Sequence, residues 1–98
     1  MYVVRDIFQL KFGHFKEARG LLNDAISGNL MPQAAGIRAL SDFTGPSYRL
    51  IMESSFNTLA DYEGSLTTEL SKDEWQQWYQ QFRQHVESSY REILKQVI

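Results

Sequence analysis

The sequence predicts a single α+β domain in which helices cover one face of an antiparallel four-stranded sheet. Residues Tyr2 to Phe12 alternate apolar and polar side chains, which is typical of a half-buried strand. The next segment, His14 to Ile26, changes to the 3.6-residue period of an amphipathic helix. Two further alternating runs flank Gly45-Pro46, a dipeptide that marks turns, and together they predict a β-hairpin.

The first strand and the first helix have clear ends and clear buried faces. Gly13 ends the strand, and Ser27-Gly28-Asn29 ends the helix ahead of a loop that contains Pro32. We expect two sets of apolar side chains to pack together: Tyr2, Val4, Phe8, Leu10 and Phe12 from the strand, and Phe15, Ala18, Leu22, Ala25 and Ile26 from the helix.

The register of the hairpin, between strands over residues 36–44 and 47–56, follows from charge. One register sets two pairs of opposite charge on either side of an apolar pair: Asp42 with Arg49, Arg38 with Glu53, and Leu40 with Ile51 between them. Such cross-strand pairs stabilise a sheet, and a slip of one residue would turn every side chain to the other face. The same register pairs Phe43 with Tyr48 and directs both toward the helices.

The rest of the chain predicts two more helices and a final strand. Thr58 can cap a helix that runs to about Leu70, and Ser71 and Glu74 have the spacing of a capping box. The helix that follows carries an apolar stripe of Trp75, Trp78, Tyr79, Phe82 and Val86. Propensity alone would let this helix continue, but Ser88-Ser89 interrupts it, and a three-stranded sheet would leave the first strand partly unpaired. We therefore expect a fourth strand over Ser89 to Val97.

The resulting order is βαββααβ over one domain, residues 1–98. With right-handed crossovers, this order gives a ferredoxin-like fold whose antiparallel strands lie in the order 4-1-3-2, with the helices on one face. The net charge of −2, without a cluster of Lys and Arg, argues against nucleic acid as a partner. No segment is apolar over the length of a membrane span. The absence of cysteine excludes thiolate chemistry and fits a cytoplasmic setting.

The face of the sheet away from the helices mixes aliphatic and charged side chains. It carries four aliphatic residues, Val3, Ile7, Leu40 and Ile51, among arginines and acids. A membrane-facing surface would not tolerate those charges, whereas a protein–protein contact combines apolar area with ion pairs. Because two-fold homodimers are the commonest oligomers, we expect these four residues to form a homodimer interface.

Asp6 is the residue of greatest chemical interest, because it lies in the apolar row that faces the helices. A carboxylate buried there needs a donor, so Asp6 is either a satisfied structural acid or part of a cleft. His85 follows the aromatic stripe and could reach that cleft, while His14 starts the first helix and is expected in solvent. Two histidines without an acidic partner at ligand spacing do not make a metal site. The aromatic stripe is typical of a core and would also suit a pocket.

Three segments carry a family resemblance: the opening strand Tyr2-Val3-Val4-Arg5, the helix start Asp73-Glu74-Trp75 with Trp78 and Phe82 after it, and the tail from Val86 to Ile93. In these segments the chain resembles the dimeric α/β-barrel superfamily and, within it, the NIPSNAP-like domains of small bacterial proteins. The resemblance covers the whole chain and implies the fold, dimerisation and the fourth strand. It implies no particular reaction, because such folds host unrelated chemistries.

Three kinds of function are open at this point. The first is a homodimer that holds a small apolar or aromatic molecule in a cleft lined by Asp6, Tyr48, Trp78, Phe82 and His85. The second is an enzyme resembling the cofactor-independent monooxygenases of the superfamily, which act on aromatic polyketide-like substrates; haem-degrading relatives are less similar, because their first-strand asparagine is missing and Gln9 faces the wrong way. The third is an interaction protein that uses the dimer surface alone. We expect no metal and no cofactor, and the sequence identifies no catalytic residue.

Overall fold

The computed structural model describes residues 1–28, 30–31, 34–68 and 72–98. Its elements follow one another as β1 (Tyr2–Leu10), α1 (Phe15–Ser27), β2 (Gly36–Ser41), β3 (Arg49–Phe56), α2 (Leu59–Thr68), α3 (Asp73–Phe82) and β4 (Val86–Lys95), with a 3₁₀ turn over Arg83–His85 before β4. This is the βαββααβ order that the sequence predicts. None of the helices in the described part of the chain is long and apolar enough to cross a bilayer.

The four strands form one antiparallel sheet in the order β2-β3-β1-β4. Read from the opposite edge, this is the predicted order 4-1-3-2, so the ferredoxin-like α+β fold is confirmed. β1 pairs with β3 on one side and with β4 on the other along nearly its whole length. The argument for a fourth strand is therefore correct, since without β4 one side of β1 would have no strand partner.

β4 begins at Val86, earlier than the predicted start at Ser89. The backbone N–H of Lys11 donates to the carbonyl of His85 at 2.9 Å, and an irregularity between Gln9 and Leu10 lets Leu10 pair with Val86. Val86 therefore belongs to the sheet and not to the helical stripe, and α3 ends at Phe82.

Helix α2 begins as predicted, because the backbone N–H of Asp61 donates to Thr58 Oγ1 at 3.0 Å. Four predicted features lie outside the described residues: the loop at Pro32, the helix ends at Asn29 and Leu70, and the capping-box serine Ser71. In α1, the last helical residue is Ser27, and the N–H of Gly28 donates to the carbonyl of Asp24 at 2.9 Å.

The hairpin has the predicted register, and all three pairs form: Arg38 with Glu53, Leu40 with Ile51, and Asp42 with Arg49. In the last pair, Arg49 Nη2 donates to Asp42 Oδ1 at 2.8 Å, and the backbone N–H of Arg49 donates to Asp42 Oδ2 at 3.3 Å. The pair closes the loop between the two strands, because it joins the residues on either side of the turn.

Phe43 and Phe12, which the sequence places in the row that faces the helices, lie outside it. β2 stops short of Phe43, whose side chain is fully exposed. β1 stops short of Phe12, which is exposed except that its ring stacks on Tyr48 with the centroids 5.6 Å apart. Tyr48 has a φ of 61°, in the left-handed region, so the alternation of β3 does not extend back to it.

The hydrophobic core lies between one side of the sheet and the helices. Its buried members are Leu10, Leu50 and Met52 from the sheet, Ala18, Leu22 and Ala25 from α1, Trp78 and Phe82 from α3, and Met31. Helix α2 lies on the same side, where Tyr62 packs edge-on against Phe56 with the ring centroids 5.3 Å apart. Within the described residues, no helix covers the opposite side of the sheet.

Candidate functional site

A cavity of about 180 Å³ lies between the sheet and helices α1 and α3. Aromatic side chains form a large part of its wall, and a pair of opposite charges forms its polar end. Phe8, Trp75, Trp78, Tyr79 and Phe82 supply the aromatic wall, and Asp6 and Arg91 supply the charges. The cavity therefore combines a large apolar surface with one polar end, as small-molecule sites do.

The aromatic wall consists of rings in close contact. Trp78 stacks on Phe82 with the centroids 4.9 Å apart, and Phe8 meets Phe82 edge-on at the same distance. The ring centroids of Trp75 and Trp78 are 5.1 Å apart. These rings follow the 3.6-residue period of α3, which turns Trp75, Trp78 and Phe82 toward the sheet.

The orientation of Trp78 is fixed by a hydrogen bond across the two packed helices. Its indole Nε1 donates to the carbonyl of Leu21 in α1 at 2.8 Å. The ring is 9% exposed and Phe82 is 1% exposed, so both belong to the core as well as to the cavity wall. The same side chains therefore contribute to the hydrophobic core and to the wall of the cavity.

Asp6 receives its donor from the neighbouring strand. In the register of β1 with β4, Asp6 lies opposite Arg91, and Arg91 Nε donates to Asp6 Oδ1 at 2.6 Å. The Asp6 side chain is 14% exposed, whereas the Arg91 side chain is 46% exposed. The Asp6 carboxylate thus has the side-chain donor that a structural role requires. The same carboxylate also lines the cavity.

Arg91 is held on a second side by α2. Its Nη1 donates to the hydroxyl of Tyr62 at 2.7 Å, and its Cζ lies 5.9 Å from the Tyr62 ring centroid. Burial acts to lower the pKa of Arg91, but the hydrogen bond and the charge of Asp6 outweigh burial and raise that pKa. Arg91 therefore stays charged and keeps the polar end of the cavity in one arrangement.

A second, smaller cavity of about 40 Å³ adjoins the first. The two share Asp6, Arg91 and Trp75 among their lining residues, and α2 closes the smaller one with Tyr62 and Leu66. The Asp6–Arg91 pair consequently lies where the two cavities meet.

Only some of the residues predicted to form one cleft lie together in the structure. Asp6, Trp78 and Phe82 line the cavity, but Tyr48 and His85 do not. Tyr48 lies at the junction of β1 and α1, where the backbone N–H of Gly13 donates to its hydroxyl. Tyr48 precedes β3 and has a left-handed backbone conformation. His85 is the last residue of the 3₁₀ turn that follows α3. Both residues therefore lie outside the strand segments that carry the cavity-lining side chains.

His85 pairs with His14, contrary to the expectation that His14 lies in solvent. The two Nδ1 atoms are 2.9 Å apart, which requires one ring to donate and the other to accept. Both side chains are half-buried. Among the described residues, no group of three or more His, Cys, Asp or Glu side chains is arranged to hold a metal ion.

Sequence reasoning missed Arg91 and Tyr62 as part of the site. The charge matching that fixed the hairpin register would also have found Arg91, because the β1–β4 register sets Arg5 opposite Glu92 and Asp6 opposite Arg91. No comparable signal points to Tyr62, since its contact depends on how α2 crosses the sheet.

The opposite side of the sheet carries a ladder of alternating charges. One row across the four strands is Arg38, Glu53, Arg5 and Glu92, in the order β2, β3, β1, β4. Arg38 Nε donates to Glu53 Oε1 at 2.8 Å, and Arg5 Nε donates to Glu53 Oε2 at 2.9 Å. The contact of Arg5 with Glu92 is longer, at 3.9 Å.

Glu53 is the centre of this charge ladder and is 5% exposed. Burial acts to raise its pKa, but hydrogen bonds from Arg38 and Arg5, together with their charges, outweigh burial and hold the pKa below its usual range. The carboxylate thus has both oxygens engaged, which is the condition for burying such a charge.

The next row of the same side is apolar. It consists of Leu40, Ile51, Ile7 and Tyr90, which are neighbours in the β2–β3, β3–β1 and β1–β4 registers. Ile7 and Ile51 are only 3% and 9% exposed, because adjacent side chains of the sheet already cover them. Leu40, Tyr90 and Leu94 keep 39%, 57% and 40% of their surfaces exposed, so they provide most of the accessible apolar area.

A surface groove of about 460 Å³ also runs beside α2, lined in part by Ala34, Asp61 and Thr68. Ala34 and Thr68 are adjacent in sequence to segments outside the described part of the chain.

Comparison with solved structures places the fold among known proteins. An uncharacterised NIPSNAP domain protein from Burkholderia xenovorans superposes with a TM-score of 0.85 at 12% identity, over 99% of this chain and 95% of that one. A NIPSNAP family protein of unknown function from Agrobacterium tumefaciens gives 0.82 at 17% identity, over 98% and 87%. A putative antibiotic biosynthesis monooxygenase from Nitrosomonas europaea gives 0.74 at 13% identity, over all of both chains.

These likenesses establish the fold and confirm at that level the resemblance that the sequence carries. No protein-family model matches the sequence. No curated protein matches it either.

Proposed function

We propose that the protein is a homodimer that binds a small apolar or aromatic molecule in the cavity between helices and sheet. The observation that carries this proposal is the wall of aromatic rings around a cavity with one charged end. Aromatic faces bind flat apolar rings by stacking or edge-on contact, and the charge pair supplies a means of orienting the ligand.

The size of the cavity limits the ligand to about one ring. An apolar cavity of about 150 Å³ accommodates benzene, whereas sites for drug-sized molecules measure about 300–1,000 Å³. The cavity here measures about 180 Å³, with about 40 Å³ adjoining it. A single aromatic ring with a small substituent fits this space, and a polyketide-sized molecule with several fused rings exceeds it.

The monooxygenase alternative has weaker support. It needs Asp6, Tyr48, Trp78 and His85 around one substrate, and Tyr48 and His85 lie away from the cavity. The polyketide-like substrates of that interpretation also exceed the cavity. The likeness to a putative monooxygenase, at 13% identity, concerns the fold alone and carries no information about a shared reaction.

Dimerisation is supported by the uncovered side of the sheet. Leu40, Tyr90 and Leu94 leave apolar surface exposed beside a charge ladder whose row sums to zero. A second copy presents the same alternating charges in reverse order across a two-fold axis, so unlike charges can meet while the apolar row is covered. The resemblance to the dimeric α/β-barrel superfamily favours the same occupant.

The ligand part of the proposal is tested by closing the cavity. Ser89 lines it on β4, whereas Ser88, its neighbour, lies on the other side of the sheet, and both are exposed. We expect toluene, titrated into the ¹⁵N-labelled protein, to shift the indole N–H resonances of Trp75 and Trp78. Ser89→Phe should abolish these shifts and Ser88→Phe should keep them. Absence of any ligand-dependent shift in the unaltered protein, with toluene and with p-cresol alike, would overturn the proposal.

A further inference from the structure

We infer that the ligand of this cavity carries a neutral hydroxyl group on its ring, which donates to Asp6 and accepts from Arg91. This inference rests on the proposed function and names the class of ligand. It is carried by the hydrogen-bonding capacity that the Asp6–Arg91 pair leaves unused.

The pair has one acceptor and one donor to spare. Asp6 Oδ1 accepts from Arg91 Nε, but no group within the described residues donates to Asp6 Oδ2. Arg91 uses Nε for Asp6 and Nη1 for Tyr62, and in the same part of the chain its Nη2 meets no acceptor. A carboxylate oxygen only accepts and a guanidinium only donates, so the two spare atoms are complementary to a group that does both.

The position of the pair brings these atoms to a ligand. Asp6 and Arg91 line both the larger and the smaller cavity, and Asp6 is mostly turned inward. A ring packed against Trp75 and Phe8 in the larger cavity would point one substituent at the junction. Only a small substituent fits there, because the adjoining space is about 40 Å³.

The charge of the pair selects against ionised ligands. A carboxylate on the ligand is attracted by Arg91 but repelled by Asp6, and an ammonium group meets the reverse. A neutral hydroxyl donates one hydrogen bond and accepts another, and it leaves the ion pair intact. A hydrocarbon ring without a polar substituent can pack against the aromatic wall. It displaces water from Asp6 Oδ2 and Arg91 Nη2 but forms no hydrogen bonds in place of those with water, and this lowers its affinity.

Three ligands of matched shape test the inference: p-cresol, toluene and 4-methylbenzoate. Each is titrated into the unaltered protein while the indole N–H resonances of Trp75 and Trp78 are followed. We expect p-cresol to bind about 10- to 100-fold more tightly than toluene, since a hydrogen bond to a charged group has that effect on affinity. We expect 4-methylbenzoate to bind more weakly than p-cresol.

Asp6→Asn provides the matched variant, because it keeps the shape and an oxygen that can accept from Arg91. It should weaken p-cresol binding toward that of toluene, because the charged acceptor for the ligand hydroxyl is lost, and leave toluene binding unchanged. Glu92→Gln, on the other side of β4 beside Arg91, should leave both unchanged.

The possible failures are distinguishable. Equal affinity of the unaltered protein for p-cresol and toluene overturns this inference and leaves the proposed function intact, whether or not Asp6→Asn folds. Tighter binding of 4-methylbenzoate than of p-cresol also overturns it. Failure of all three ligands to bind overturns the proposed function as well.

Discussion

The Asp6 carboxylate combines two roles that residue patterns alone present as alternatives. Its Oδ1 is bound by Arg91 of the adjacent strand, which makes the acid structurally satisfied, and its other side faces the cavity. Arg91 in turn reaches Tyr62, so one acid links the sheet to α2. A half-buried acid with a single charged partner is well placed to orient a ligand without moving.

Replacing Asp6 with alanine should lower the free energy of unfolding by about 0.5 to 1.5 kcal/mol, because Arg91 loses its charged acceptor and solvent, which reaches 46% of the Arg91 side chain, replaces only part of that interaction. Asp6→Asn keeps an acceptor and should lose less. Urea unfolding at neutral pH measures both values. Asp24→Ala, an exposed aspartate on α1, serves as the control and should change stability by no more than about 0.5 kcal/mol. Equal stability of Asp6→Ala and the control would show that the ion pair contributes nothing to folding.

The strands follow the sequence closely because alternation and charge pairing are local signals. Leu40 and Ile51 pair as expected, and the fourth strand forms because β1 needs a second partner. The loop conformation at Tyr48 has no such local signal, so the expected position of Phe43 is wrong. The predicted grouping of His85 with Asp6 in one cleft is likewise not found, since the position of His85 depends on the 3₁₀ turn that follows α3.

The charge ladder across the sheet predicts a dependence of stability on pH. The pKa of Glu53 is lowered in the folded protein, so Glu53 binds a proton less readily there than in the unfolded chain. Its contribution is complete above the ordinary pKa of a glutamate and is lost as the pH falls through that value toward the lowered one. Glu53→Gln should therefore lower the free energy of unfolding at pH 7 and lower it less at pH 3.

Glu92→Gln is the matched control for the ladder, because Glu92 is 42% exposed in its side chain and lies 3.9 Å from Arg5. It should change stability at pH 7 by less than about 1 kcal/mol, as exposed ion pairs do. Urea unfolding of both variants at the two pH values gives the comparison. If the free energy of unfolding depends on pH in the same way in Glu53→Gln and in the unaltered protein, Glu53 is not the acid whose protonation lowers stability.

The whole molecule has one side of its sheet covered by three helices and the other uncovered within the described residues. The covered side encloses the cavity, and the uncovered side offers the apolar row and the charge ladder to a second copy. Of the four residues expected at the interface, Ile7 and Ile51 are already buried within the chain. A charge placed there would disturb the fold itself, so exposed positions on the same side give the cleaner test.

Leu40→Lys should weaken the dimer at least about tenfold in Kd, because an unpaired charge would be buried at the interface. Leu59→Lys, at a similarly exposed leucine on α2, should leave it unchanged. Size-exclusion chromatography with light scattering over a range of concentrations gives the mass of each. A monomeric unaltered protein, or an equally stable dimer in Leu40→Lys, would count against this interface.

The central claim, that one aromatic ring binds between α3 and the sheet, is tested most directly by locating the ligand. Intermolecular nuclear Overhauser effects, measured on the unaltered protein with saturating p-cresol, report which side chains lie within about 5 Å of the ring. We expect contacts from the p-cresol ring protons to Trp75, Trp78 and Phe8, at one ligand per chain. Contacts confined to Leu40 and Leu94 on the opposite side of the sheet would contradict the claim.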